Sequence, residues 1–287
     1  MMNKIFSLTN PKSNSMIVIV FILIQGRKIV MEQYLKEVEK KAGILVDALP
    51  YIRDFNEKIV VISYSCSNIL ESSTEQRVMK DIVLLKSLGM KPIVVHNTRM
   101  GADKFRENKR FAKLLELCGI KAVGICGIDL QTLHMMLKNN YIPVVTPNDI
   151  DDEETILHPE NTSMKIAVQI GAEKLVYLSE IAGILDVSDE KNSSKVLPLV
   201  TLSQAETLYQ EYELKKAGED FLRKLRNGIL AVKEGVPRVH LLDGRIPHSL
   251  LLEFFSIDGV GTVIVKDQNH LYAHEVAVHR YQTKKEG

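Results

Sequence analysis

The first residues of this chain that could do chemistry follow a short apolar strand, in the stretch KIVVISYSCSN at 58–68. A strand that delivers a phosphate group to a loop normally needs glycine, so that backbone N–H groups can approach, and lysine, for charge. Here the loop carries Ser63, Tyr64, Ser65 and Cys66 instead. The stretch is compatible with a nucleotide site, with the remains of one, or with an ordinary turn.

Further polar clusters follow other apolar segments of the chain. Ligands of parallel sheets bind at the carboxyl ends of the strands, so these clusters are the candidate sites. The acidic run at 149–154 favours an exposed loop over a cation site. No P-loop, Gly-x-Ser-x-Gly or His-x-x-Glu-His pattern is present. The clusters lie at 63–68, 96–101, 126–130, 146–154, 179–185 and 243–248.

The elements that must position these clusters alternate between strands and helices. Continuous apolar strands that alternate with amphipathic helices predict an α/β fold with a mainly parallel sheet covered on both faces. The predicted strands are 58–62, 92–95, 121–125, 142–145, 174–178, 237–242 and 261–265. The predicted helices are 74–89, 103–118, 130–138, 162–171, 203–214, 218–234 and 247–255.

Composition bounds the class of protein. The 287 residues are 45% hydrophobic and 25% charged, as in ordinary globular proteins, and the net charge of +1 gives no electrostatic case for a nucleic-acid partner. Cys66, Cys118 and Cys126 form no CxxC pair, which argues against a disulfide framework or a metal site. We therefore expect a cytoplasmic protein without a bound metal.

The N-terminal region divides into two segments. The apolar run 16–24 is shorter than the roughly 20 residues that cross a bilayer, so we expect no membrane association and treat 1–30 as an extension outside the fold. Segment 31–52 has apolar residues at helical spacing, which predicts an amphipathic helix. Such a helix packs on a partner subunit or on its own domain. Residues 53–287 are expected to form a single domain.

Several stretches closely resemble N-acetylglutamate kinase of the amino acid kinase family. They are DIVLLKSLGMKPIVVH (81–96), NYIPVVTP (140–147), IGAEKLVYLSEIAGIL (170–185) and the segment 235–264. In addition, ILVDALPYIRDFNEKIVVI (44–62) resembles the N-terminal helix and first strand of the arginine-inhibited hexameric branch. The resemblance implies a three-layer αβα sandwich that moves the γ-phosphoryl group of MgATP onto the side-chain carboxylate of N-acetyl-L-glutamate.

The chain departs from the family pattern at the phosphate loops. Ser63 stands where the family has a catalytic lysine, and Ser65 and Cys66 stand at glycine positions. After His96 the family has three glycines, whereas this chain has Asn97, Thr98 and Arg99. Side chains there should crowd the approach to phosphate oxygens. Arg99 is a candidate replacement cation or a surface arginine.

The acceptor side departs as well. The family segment with a substrate-binding arginine and a later hairpin are both missing. Ile156 stands at the family's substrate-binding asparagine, and Glu160 stands at the aspartate that organises the catalytic lysines. Ile156 cannot hydrogen-bond a substrate amide, whereas Glu160 keeps the charge on a longer side chain.

Other positions match the family. Lys224 falls on its second catalytic lysine, although Glu219 and Asp220 replace a preceding glycine pair; the alternative is a basic, solvated helix face. For the nucleotide, the resemblance implies Ser179, Glu180 and Gly183, with Glu180 at an aspartate position.

The resemblance also implies an effector site for L-arginine. Tyr51, His240, Glu253 and Gly259 match the family residues that build it, and a carboxylate beside carbonyl groups suits a guanidinium. The alternative is that these residues serve packing alone.

Taken together, these residues predict an acetylglutamate kinase homologue of arginine biosynthesis that is catalytically weak or inactive and binds L-arginine as a regulator. The alternatives are an active acetylglutamate kinase and a kinase of another small carboxylate. MgATP is the expected cofactor if the protein is active, and none otherwise. The expected assembly is a homo-oligomer, dimer or hexamer, or a hetero-oligomer with an intact kinase.

Overall fold

The computed structural model describes most of the chain in two compact units, residues 1–50 and 51–287. Several predicted features lie outside the described residues: the segment 1–30, Cys66, Asn97, Thr98, Arg99, the acidic run 149–154 and Ile156. The described ranges are 31–32, 34–36, 38–39, 42–43, 46, 48–65, 72–96, 103–147, 158–186, 195–256 and 259–267.

In the first unit, every described residue of 31–50 is helical, in agreement with the predicted amphipathic helix. Its described apolar side chains are exposed: Met31, Tyr34, Leu35, Val38, Val46 and Leu49.

The second unit is built on an eight-stranded sheet. Its strands are β1 (Ile59–Tyr64), β2 (Lys91–His96), β3 (Ala122–Cys126), β4 (Ile142–Thr146), β5 (Lys174–Ser179), β6 (Leu199–Thr201), β7 (Arg238–Asp243) and β8 (Thr262–Val265). Its helices are α1 (Ser72–Ser87), α2 (Lys104–Leu117), α3 (Leu130–Lys138), α4 (Pro159–Ile170), α5 (Leu202–Leu214), α6 (Glu219–Lys233) and α7 (Ser249–Phe255).

The strand order is β3-β4-β2-β1-β5-β7-β8-β6, and every neighbouring pair is parallel except β7 with β8. The predicted, mainly parallel α/β sheet is confirmed. The three-residue strand β6 was not predicted from the sequence.

Side-chain alternation along the strands produces two separate cores, one on each face of the sheet. Val61 and Leu175 point to the face covered by α3, α4, α5 and α6. Val60 and Val176 point to the opposite face, covered by residues 51–55, α1, α2 and α7. Because both faces are covered, the strands are mostly apolar, and the three layers follow from the sequence pattern.

Helix α4 matters most for the site. It begins at Pro159, whose fixed φ suits the first helical position, three residues before the predicted start at 162. It ends at Gly171, which takes a left-handed conformation with φ of 65°. The earlier start places Glu160 within the first turn of the helix.

Among the residues that the structure describes, no helix has the length and apolar character needed to cross a membrane.

Candidate functional site

The carboxyl end of β1 carries the loop that sequence analysis singled out. Ser63 and Ser65 are two residues apart, so both face the same side of the sheet, which α4 and α6 cover. The Ser65 backbone N–H donates to the carbonyl of Leu178 on β5 at 3.1 Å. This hydrogen bond keeps the start of the loop against the neighbouring strand.

A buried carboxylate lies directly above this loop. Glu160, 3% exposed, accepts a hydrogen bond at Oε1 from the Ser65 hydroxyl at 3.1 Å. The same oxygen lies 3.2 Å from the ammonium nitrogen of Lys224. The structure thus brings together the two residues that the sequence assigned to catalysis, one from α4 and one from α6.

Lys224 is only 1% exposed, so the interpretation of this lysine as part of a solvated helix face is wrong. Its ammonium group also contacts the carboxylate of Asp220, one turn earlier on α6. A buried charge needs such partners, because water no longer solvates it. Lys224 is therefore held between two carboxylates.

Arg223 is a further member of this cluster, and no role was predicted for it from the sequence. Its Nε lies 3.6 Å from Oε2 of Glu160, the oxygen that Lys224 does not contact. Its Nη1 donates to Nε2 of His158 at 3.0 Å, which requires that ring nitrogen to be unprotonated. The only signal of this arrangement in the sequence was that two adjacent residues, Arg223 and Lys224, are both positively charged.

Ser63, at the position of the family lysine, supplies no charge and lies within the same layer. It is 1% exposed, and among the described residues its hydroxyl has no hydrogen-bond partner. Its neighbour across the strand pair is Tyr177, whose hydroxyl donates to the main-chain carbonyl of Glu160 at 3.2 Å. Burial, and secondarily the Glu160 charge, raises the pKa of Tyr177 well above its usual range. Tyr177 therefore stays neutral.

The residues predicted for the nucleotide follow β5. The Ser179 hydroxyl accepts from the Ile181 N–H at 3.4 Å, and the Glu180 carbonyl accepts from Arg245 at 3.0 Å. Gly183 has a φ of 139°, and a Cβ there would lie 2.6 Å from the hydroxyl of Thr262. Glycine is thus required at 183 by close packing against β8.

The four predicted effector residues belong to one cluster at the other end of β5. Tyr51 packs on Phe55 with ring centroids 6.4 Å apart, and Phe55 packs on Phe254 at 6.1 Å. His240 meets Phe254 edge-on at 5.5 Å. Sequence analysis missed Lys174, whose ammonium lies 4.4 Å from the centroid of the Phe55 ring.

Two acid–base groups in this effector cluster are coupled. Nδ1 of His240 lies 2.8 Å from a carboxylate oxygen of Glu253, and Nε2 lies 3.5 Å from Lys174. Burial, and then the Lys174 charge, lowers the pKa of His240, which outweighs the opposing effect of Glu253. A neutral ring with its proton on Nδ1 donates to Glu253 and accepts from Lys174, which fits both distances.

The second oxygen of Glu253 accepts from the N–H groups of Val260 and Gly261 at 2.8 and 3.2 Å. A Cβ on Gly259, with φ of 59°, would lie 2.7 Å from that oxygen. Although burial raises the pKa of Glu253, these bonds and the one to His240 lower it further than burial raises it. The carboxylate is therefore ionised and the loop 259–261 is closed around it.

The residues at the first cluster fit the phosphate end of MgATP in kind. Lys224 and Arg223 are cations, and the Ser63 hydroxyl has no hydrogen-bond partner among the described residues. The positive charge available to the phosphates is reduced, because each of these two cations already faces a carboxylate. Within the described ranges, no group of three or more His, Cys, Asp or Glu could hold a metal ion.

Comparison with known proteins finds relatives along most of this chain. Residues 108–243 match the amino acid kinase family. Acetylglutamate kinase of Campylobacter jejuni is 31% identical in an alignment that covers 82% of this chain and 100% of the relative. Acetylglutamate kinase of Thermoanaerobacter pseudethanolicus is 32% identical in an alignment that covers 79% of this chain and 94% of the relative.

Solved structures share the fold. N-acetylglutamate synthase from Neisseria gonorrhoeae, complexed with coenzyme A and N-acetyl-glutamate, superimposes with a TM-score of 0.66 at 22% identity. That match covers 79% of this chain but 63% of the synthase chain, so this chain spans less than two thirds of the synthase. Carbamate kinase from Giardia lamblia bound to AMP-PNP gives a TM-score of 0.58 at 11% identity, over 74% of this chain and 99% of the kinase.

The lowered pKa of His240 predicts how stability depends on pH. Below the ordinary histidine pKa of about 6.5, the unfolded chain takes up a proton at His240 that the folded chain does not. We expect the free energy of unfolding to fall between pH 7 and pH 5, and His240→Gln to reduce that fall. Urea unfolding at a series of pH values measures it.

The control for this pH series is His134→Gln, the same substitution at an exposed histidine of α3. A His240→Gln profile as steep as that of the parent protein would contradict the assignment of a neutral His240.

Proposed function

Since the chain belongs to the acetylglutamate kinase family, we propose that it keeps the fold, Lys224 and the carboxylate of Glu160 but phosphorylates N-acetyl-L-glutamate weakly or not at all. Its cofactor, where any turnover remains, is MgATP. Its place is the cytoplasm, with the biosynthetic enzymes to which it is related.

This proposal rests on one observation: the positive charge around Glu160 is reduced in number and already paired with carboxylates. Ser63 is neutral and buried, and the Lys224 ammonium contacts both Glu160 and Asp220. Phosphoryl transfer depends on positioning and on neutralising the charge that develops on the transferring group. A cation already paired with two carboxylates offers less of this than one that faces the substrate.

What the chain's own residues contribute to the reaction follows from these contacts. MgATP, when bound, supplies the phosphoryl group. Lys224 and Arg223 would contact its phosphate oxygens, and Glu160 orients both side chains from the buried side. Ser65, by donating to Glu160, fixes one carboxylate oxygen. Tyr177 holds the first turn of α4 in place through the Glu160 carbonyl.

A coupled ADP-release assay with MgATP and N-acetyl-L-glutamate tests the proposed activity. We expect turnover at least roughly 10²-fold below that of the Campylobacter jejuni acetylglutamate kinase assayed in parallel, because loss of one preorganised charge donor costs roughly 10²–10³ in rate. Any residual turnover should disappear in Lys224→Gln.

A rate within about tenfold of the relative's, which corresponds to less than roughly 1.4 kcal/mol of barrier, would contradict the proposal and support an active acetylglutamate kinase. Turnover only with another small carboxylate would support a kinase of different acceptor specificity.

We further propose that the effector cluster binds L-arginine as a regulator. The support is chemical: Glu253 supplies a buried carboxylate, and the Phe55 and Phe254 rings already bind one cation, the ammonium of Lys174. Aromatic faces and a carboxylate together suit a guanidinium group. The N-acetylglutamate synthase of Neisseria gonorrhoeae, which shares this fold, has been crystallised in complex with L-arginine.

Isothermal titration calorimetry with L-arginine tests this site. We expect binding that Glu253→Gln weakens by at least about tenfold, since a hydrogen bond to a charged group contributes about 1.5–3 kcal/mol. The exposed Glu234→Gln serves as the matched control variant. L-citrulline, which lacks the guanidinium charge, should not bind. Equal affinity for L-arginine and L-citrulline would contradict the proposal.

We also propose a homo-oligomer that uses the N-terminal helix, with a hetero-oligomer containing an intact kinase as the alternative. The support is the exposed apolar set on that helix, which includes Leu35 and Val38. Replacing both by glutamate should lower the mass of the purified protein in size-exclusion chromatography with light scattering. The exposed Lys36→Glu is the control. An unchanged mass would contradict this role.

A further inference from the structure

The Glu160 carboxylate is shared by two cations from adjacent positions of α6. Lys224 lies at Oε1, 3.2 Å away, and Arg223 lies at Oε2, 3.6 Å away. Adjacent residues of a helix point in directions about 100° apart, so a single carboxylate rarely contacts both. Here it does, because Glu160 reaches between them from the facing helix α4.

We propose that Arg223 is the second cation of an anion-binding pair and takes over the charge that Ser63 does not supply. The ligand class is the polyphosphate end of a nucleotide. This inference rests on the proposed function of the same site, and it assigns a role to a residue of this chain that no sequence pattern identified.

The two cations differ in their access to solvent. The side chain of Lys224 is 1% exposed and lies at the back of the cluster, whereas that of Arg223 is 26% exposed. A guanidinium carries five N–H donors in a planar fork. Within the described ranges, the Arg223 guanidinium makes one hydrogen bond, from Nη1 to His158, which leaves several donors for a ligand. Two parallel donors suit phosphate oxygens, so Arg223 is the first cation that an entering anion meets.

An acidic side chain occupies the solvent side of this pair. The carboxylate of Asp220 contacts Lys224 and lies 3.7 Å from Nη2 of Arg223, and its side chain is 58% exposed. Asp220 therefore sits where an anion would approach both cations. A polyphosphate must displace it, at the cost of two ion pairs, whereas Glu160 stays bound on the buried side.

This arrangement predicts opposite effects for two neighbouring substitutions. Removing the charge of Arg223 removes a ligand contact, so binding weakens. Removing the charge of Asp220 removes a competitor, so binding strengthens. A cluster with a purely structural role would give no such opposition, because both substitutions break ion pairs of the folded protein.

Calorimetry with inorganic tripolyphosphate on the full chain at low ionic strength tests the inference without relying on turnover. Relative to the parent protein, we expect Arg223→Gln to weaken binding by about tenfold or more and Arg223→Lys to restore part of it. Asp220→Asn should tighten binding several-fold. The matched control is Arg226→Gln on the same helix, where an exposed arginine loses the same charge. Thermal unfolding verifies that each variant is folded.

Three results would overturn the inference. The first is equal affinity of Arg223→Gln and Arg226→Gln, and the second is weaker binding by Asp220→Asn. The third is absence of tripolyphosphate binding in both the parent and Asp220→Asn. Arg223-dependent binding together with turnover within about tenfold of the Campylobacter jejuni kinase would support the inference while the proposed function fails, so the two failures are distinguishable.

Discussion

The buried ion pair between Glu160 and Lys224 is the interaction on which the arrangement of this end of the molecule depends. Both side chains are almost fully buried, at 3% and 1% exposure, and neither charge could remain there without the other. The pair joins α4 to α6, and through Ser65 it also fixes the end of β1. Three segments far apart in sequence are thus held by one carboxylate.

The same interaction supports the proposal that this cluster is a weakened phosphate site. In a site built for transfer, the cations face the incoming phosphate and a carboxylate only orients them. Here Asp220 adds a second carboxylate on the open side, and Ser63 contributes no charge. The two remaining cations, Lys224 and Arg223, are paired with carboxylates even without a ligand. This pairing favours the stability of the folded protein over rapid catalysis.

The effector cluster, at the opposite end of β5, also contains buried charged side chains that need partners. This strand has six residues, so it spans about 17 Å from Lys174 to Ser179. Lys174 is accommodated by aromatic rings and by a neutral His240, while the ionised Glu253 is stabilised by hydrogen bonds from His240 and the loop 259–261. One strand therefore connects the nucleotide-side residues with the proposed arginine site.

Much of the fold could be predicted from the sequence, because buried parallel strands read as continuous apolar runs and helix ends carry glycine. The strand β6 could not, since its three residues are too few to show a periodicity of their own. The strand β8 was predicted, but its antiparallel direction was not, because direction leaves no mark in an apolar run. Within the site, Glu160 and Lys224 were predicted through a family resemblance. Arg223 was not, because its contact with Glu160 joins residues 63 positions apart and leaves no local pattern.

A double-mutant cycle on the free energy of unfolding, with Glu160→Gln, Lys224→Met and the double variant, tests the central role of this pair most directly. The account predicts that each single substitution destabilises the protein by about 3 kcal/mol or more, because it leaves a buried charge without its main partner. The double variant should then be more stable than the sum of the two losses implies, with a coupling of about 1–3 kcal/mol. Losses that add to within about 0.5 kcal/mol would contradict it.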